Sequence, residues 1–144
     1  MNNVGIQGLK RFANSITGWE ERLKGIARMT FELTHGYIET WGTGGASFRK
    51  LYKEFLEELL TLPELKEGPR AWNKDEFNIL EEEIPLIDKS VNNWTLFANT
   101  LKNAADEYKD DCLNHVNLGE LQDIAFDIVK YEEELFTKLK KIKN

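Results

Sequence analysis

A single cysteine, Cys112, stands in 144 residues, and one thiol cannot close an internal disulfide. Stability has to come from packing, and the chain is long enough to bury a real hydrophobic core without a metal or a cross-link. No basic-then-apolar leader opens the sequence, so a cytoplasmic location is expected. No apolar run approaches the roughly 20 residues that span a bilayer, which argues against a membrane protein. Basic residues are in deficit, 19 Lys and Arg against 25 Asp and Glu for a formal charge of -6. That balance argues against nonspecific nucleic-acid binding, which needs a basic footprint. The densest basic stretch, Lys138 to Lys143, sits where a last helical turn favours cations anyway. Repeats, low-complexity segments and the two-residue alternation of half-buried strands are missing as well. Asn93-Trp94-Thr95 fits the N-glycosylation pattern, read here as a chance match because no secretory signal accompanies it.

What remains is a globular composition, 41% hydrophobic and 31% charged, with only three prolines to interrupt helices. The expectation is an all-α fold, a single domain over residues 1–144 built as a bundle of about five mostly antiparallel helices. Ile6, Leu9, Phe12, Ala13 and Ile16 place a first helix over Gly5 to Ser15. Thr17 and Glu20 have capping-box spacing and open a second, with Trp19, Leu23, Ile26, Thr30, Leu33, Tyr37 and Trp41 as a core stripe about six turns long that ends at Gly42. Phe48, Leu51, Tyr52, Phe55, Leu56, Leu59 and Leu60 define the apolar face of a third, which Pro63 terminates. Asn73 and Glu76 cap a fourth that Pro85 should kink or interrupt, before a seam from Ile87 to Tyr108. Asn117 and Glu120 open the last, whose seam Glu132 breaks, so the stripe rotates there or Glu132 lies at an edge. Glu81-Glu82-Glu83 and Glu132-Glu133-Glu134 read as solvated helix faces.

The loop Gly42-Thr43-Gly44-Gly45 before the third helix is the most distinctive local feature. It lacks the Gly-Lys-Ser/Thr of a phosphate-binding loop, and Ser47 stands where a dinucleotide fingerprint needs its third glycine. Two readings stay open. Free N–H groups at a helix start, with Arg49 one turn below Gly45, suit a phosphate or carboxylate. Alternatively the glycines make a tight helix-to-helix turn with close backbone packing, and Arg49 pairs with a carboxylate. Glu32 and His35 have the Glu-x-x-His spacing of di-iron bundles, but one such half-site is insufficient, and surface residues explain it better. Cys112 and His115 lack the partners that zinc binding or thiol catalysis needs. No catalytic residue, metal ligand or cofactor is therefore assigned.

Gly42-Thr43-Gly44-Gly45, followed by Phe48-Arg49, Tyr52 and Phe55-Leu56, resembles the hallmark of the C-terminal helical domain of butirosin biosynthesis protein H-like acyltransferases, a domain catalogued as one of unknown function. The resemblance runs from Gly5 to about Leu101. In that family a cysteine-peptidase-like domain precedes the helical one and moves an acyl group from a carrier protein's phosphopantetheine arm onto an amine such as an aminoglycoside. This chain has no such segment, and Cys112, inside the helical part, does not inherit its nucleophile role. The resemblance implies a noncatalytic accessory domain linked to secondary-metabolite biosynthesis, contacting a substrate, an acyl carrier protein or the acyltransferase domain. Gly44, Gly45, Arg49 and Tyr52 are its candidate contacts, Arg49 offering a charged fork and Tyr52 a hydroxyl at the edge of the apolar face. The alternative is a stand-alone helical interaction protein that self-associates, so a homodimer is also to be tested.

Overall fold

Asn73 and Glu76 start the longest helix of the protein by satisfying each other's backbone: Glu76 N–H donates to Asn73 Oδ1 at 2.9 Å, and Asn73 N–H to Glu76 Oε2 at 3.0 Å. The computed structural model, which describes residues 5–41 and 45–142, runs this helix from Lys74 to Tyr108. Gly42 and Gly44 of the glycine loop lie outside the described residues. In chain order the helices are α1 (Gly5–Ser15), α2 (Trp19–Arg22), α3 (Ala27–Glu39), α4 (Ala46–Leu59), α5 (Pro63–Lys66), α6 (Lys74–Tyr108) and α7 (Leu118–Leu139). Turns of 3-10 helix, Ile16–Gly18 and Lys109–His115, follow α1 and α6. The fold is all-α, and no strand occurs among the described residues. Among them, no helix is long and apolar enough to cross a membrane.

Helix α6 is the spine, with α3, α4 and α7 packed on it and α1 packed on α7. Pro85 does not interrupt it. A proline inside a helix forfeits one backbone bond and crowds the preceding turn, at a cost of about 3 kcal/mol. Leu80, Leu86, Ile87 and Val91 are buried around it, so side-chain burial on neighbouring helices outweighs that local cost. Lys109, a non-glycine residue at φ 53, ends the helix. Asn117 then caps α7 by accepting the Glu120 N–H at 3.1 Å.

The second expected helix differs most from the sequence pattern. It is broken at Leu23–Ile26, where Gly25 takes φ 81, a left-handed conformation that side-chain-bearing residues rarely adopt. The Thr17–Glu20 capping box does not form, because a 3-10 turn occupies Ile16–Gly18 and Gly18 is the cap of α2. The break resets the helical phase. Ala27, Phe31, Gly36 and Ile38 face inward on α3, whereas Ile26, Leu33, Tyr37 and Trp41 of the expected stripe are exposed. Phe31 joins Trp19, Phe12 and Phe97 in an aromatic cluster whose rings lie 5.6 to 6.4 Å apart.

Gly45 shows why α4 begins where it does. A Cβ added there would stand 2.7 Å from the Cα and 2.8 Å from the Cγ2 of Ile38, so the backbone of α3 passes directly against it. Backbone, unlike the end of a flexible side chain, does not move aside cheaply. Gly45→Ala should therefore destabilise the protein by about 2 kcal/mol, measured by urea unfolding, with helix content unchanged in the folded fraction.

Candidate functional site

Arg49 leaves the first turn of α4 and meets α7. Its Nε donates to Glu132 Oε1 at 2.9 Å and its Nη2 to Glu132 Oε2 at 3.0 Å, a two-pronged contact that matches the planar guanidinium to the carboxylate. Ser90 of α6 donates to the same Oε1 at 2.7 Å. Glu132, only 2% exposed, thus collects donors from α4 and α6. It is neither an edge residue nor part of a solvated face, as its sequence neighbourhood led one to expect. The spacing carried a signal: Glu132 lies four residues after buried Ile128 and three before buried Leu135, in phase with the core.

Glu83 is the second buried acid that the sequence reading placed in solvent. It falls three residues after Leu80 and four before Ile87, both buried, and is itself 0% exposed. Neither of its carboxylate oxygens has a hydrogen-bond partner. Burial drives its pKa from 4.5 to about 7, with Glu134 and Glu82 adding repulsion and Lys138 partly opposing. Tyr52, partly buried on α4, is affected in turn. Its phenol is pushed up by burial and by the charge of Glu83.

The other face of α4 is open. Phe48 (51% exposed), Leu51 (63%) and Phe55 (50%) line a shallow groove with Tyr52, Glu54 and Glu58. Tyr52 and Phe55 stack with ring centres 6.3 Å apart. Lys53 bonds Asp88 of α6 at 2.8 Å and clamps the helix from its polar side. Of the four candidate contacts, Gly45 caps the start of α4, Arg49 and Tyr52 lie on its first two turns with separate partners, and Gly44 lies outside the described residues.

The weaker sequence motifs have ordinary surroundings. Glu32 pairs with Arg28 at 3.5 Å on the surface. His115 stacks on Tyr108 at 3.6 Å and contacts Asp111 at 3.0 Å. Cys112 is buried, which raises its thiol pKa and disfavours the nucleophilic thiolate. Among the described residues, no three His, Cys, Asp or Glu side chains gather as a metal-holding group.

These features define an all-α domain with a locked interior junction and an exposed aromatic helix face. The chain belongs to the family described as a domain of unknown function (DUF4872), whose model matches residues 1–139. No curated protein and no solved structure matches it.

Removing one member of a buried ion pair strands the other's charge. Arg49→Met should cost about 3 kcal/mol by urea unfolding, and Arg49→Met combined with Glu132→Met should recover at least half of that. Glu83 generates a pH dependence whose sign is fixed by its raised pKa. Between pH 4.5 and about 7 the folded chain holds a proton that the unfolded chain releases, so stability falls as pH rises through that window and levels off above it. The expected loss is about 3 kcal/mol between pH 4 and pH 8. Comparison of urea midpoints at pH 5 and pH 8 should show this contribution vanish in Glu83→Gln.

Proposed function

We propose that this chain is a noncatalytic accessory domain that docks, through the outward face of α4, on a cysteine-peptidase-like acyltransferase domain of the butirosin-H-like kind. The exposed row of Phe48, Leu51 and Phe55 carries the reading. Half-exposed large apolar side chains at spacings of three and four form a continuous strip, and such strips on a folded domain mark interaction sites. Aromatic centre and charged rim are the usual composition of a protein interface; here Lys50, Glu54 and Glu58 supply the rim.

The opposite side of the same helix supports a rigid-platform role. Gly45 seats its start on α3, Arg49 fastens its first turn to α7 and Lys53 fastens its second to α6. A face held in this way loses little conformational freedom on binding, which favours affinity. Tyr52 stands at the border between the locked and open sides, its ring stacked on Phe55 of the exposed strip. The occupant comes from the resemblance carried by Gly42 to Leu56, in which this type of domain accompanies an acyl-transferring one. An accessory role also suits a buried Cys112 of raised pKa.

Calorimetric titration of the protein with the isolated catalytic domain of a butirosin-H-like acyltransferase should show saturable binding. Phe48→Ser combined with Phe55→Ser should weaken it at least about 10-fold while leaving the circular dichroism spectrum unchanged. No binding, or equal binding by the double variant, would remove the proposal. A wild-type dimer in sedimentation that the double variant dissolves would assign this face to a second copy instead. Binding of a holo acyl carrier protein in place of the catalytic domain would likewise overturn the choice of partner.

A further inference from the structure

Helix α3 is apolar on two sides. Ala27, Phe31 and Ile38 are buried in the core. Along the other side and past both ends, Ile26, Met29, Leu33, Tyr37 and Trp41 follow at spacings of three and four, each between 42% and 57% exposed. A helix face turned to water ordinarily carries polar side chains, and here five large apolar ones stand in succession. The aromatic end of this strip is held in place. Trp41 N–H donates to the Gly36 carbonyl at 2.9 Å, and its ring lies so close to Gly36 that an added Cβ would stand 2.8 Å from it. Tyr37 meets the same ring edge-on at 5.1 Å. The missing side chain at Gly36 thus lets Trp41 fold back along α3 in one arrangement. Half-exposed side chains of this size present on the order of 100 Å² each, or about 500 Å² for the five. A stable interface buries about 800 Å² per partner, of which somewhat more than half is apolar. The strip therefore supplies the apolar area that one half of a stable dimer needs.

We infer that this face of α3 pairs with the same face of a second copy of the chain, antiparallel, about a twofold axis at Leu33. The order of its residues makes it complementary to itself. In a twofold contact, residue i of one copy meets j of the other and j meets i. With Leu33 on the axis, Met29 and Tyr37, four residues to either side, come opposite each other twice. Ile26 comes against the end that carries Trp41. Thioethers and aromatic rings make favourable contacts, and each aliphatic end then covers an aromatic one. Charge permits the pairing as well. A chain of net charge -6 resists self-association through acidic surface, but the strip has no charged member, and Arg28 and Glu32 at its border neutralise each other at 3.5 Å.

The strip lies on a different helix from Phe48, Leu51 and Phe55, so this pairing and the docking through α4 can fail separately. Sedimentation equilibrium of the full chain should show a monomer–dimer equilibrium with a micromolar or tighter Kd. Leu33→Lys brings two ammonium groups together on the axis and should raise that Kd at least about 30-fold, with an unchanged circular dichroism spectrum. Register is tested by a pair of substitutions. Met29→Glu and Tyr37→Lys should each weaken the dimer at least about ten-fold. A chain carrying both should dimerise more tightly than either single variant, because the new carboxylate and ammonium then face each other across the axis. Phe48→Ser combined with Phe55→Ser should leave this dimer intact. A chain still monomeric at about 1 mM, a Kd unmoved by Leu33→Lys, a double variant no tighter than the singles, or a dimer dissolved by the Phe48 and Phe55 substitutions would each overturn the inference.

Discussion

The three-way junction of Arg49, Glu132 and Ser90 is the contact on which the placement of α4 depends. It joins α4, α6 and α7 at one buried carboxylate. Taking two charges out of water is costly, and a buried pair of this sort is poor evidence of net stability by itself. Its consequence is geometric: two parallel bonds to a planar group, with Ser90 on the same oxygen, tolerate little rotation or sliding. Helix α4 carries more apolar residues than one face can bury. Arg49, Tyr52, Leu56 and Leu59 share the side turned inward, and the bridge selects that side, leaving Phe48, Leu51 and Phe55 in solvent.

The same junction conditions a pocket beside it. Arg49 and Glu132 line it together with Trp94, and their mutual neutralisation makes that wall polar without making it charged. Elsewhere along α6, Glu83 has burial without a hydrogen-bond partner, and its response is to hold a proton. Two buried glutamates in one bundle thus take opposite solutions. Glu132 receives a guanidinium and a hydroxyl, whereas for Glu83 desolvation and two neighbouring glutamates outweigh Lys138 and raise its pKa to about 7. Interior polar groups of this kind cost stability that a purely apolar core would retain.

Local signals in the sequence located the elements well where chemistry at a helix end was decisive. The Asn73–Glu76 cap and the Asn117–Glu120 cap both act as their spacing implies, because a side-chain oxygen three residues from a free N–H reaches it wherever the helix starts at that residue, which at Thr17 it does not. Stripe direction was less legible. Ile26, Leu33, Tyr37 and Trp41 repeat at helical spacing yet end in solvent, since Gly25 shifted the phase between Trp19 and Phe31. Glu83 and Glu132 looked like wet faces because acidic triplets usually are. Their phase with Leu80, Ile87, Ile128 and Leu135 pointed inward, and burial followed the phase rather than the charge.

The all-α class, the helix starts at Asn73 and Asn117 and the distinctiveness of the Gly42–Gly45 loop were determined by the sequence itself, through forces that act within a few residues. Which apolar residues are buried, whether Pro85 ends its helix and which carboxylate receives Arg49 were decided only by the tertiary structure. Each of those outcomes compares a local cost with the free energy of contacts between segments distant in sequence, such as the 83 residues separating Arg49 from Glu132. Periodicity shows that a helix has an apolar side. Only its neighbours determine how much of that side they have room to cover.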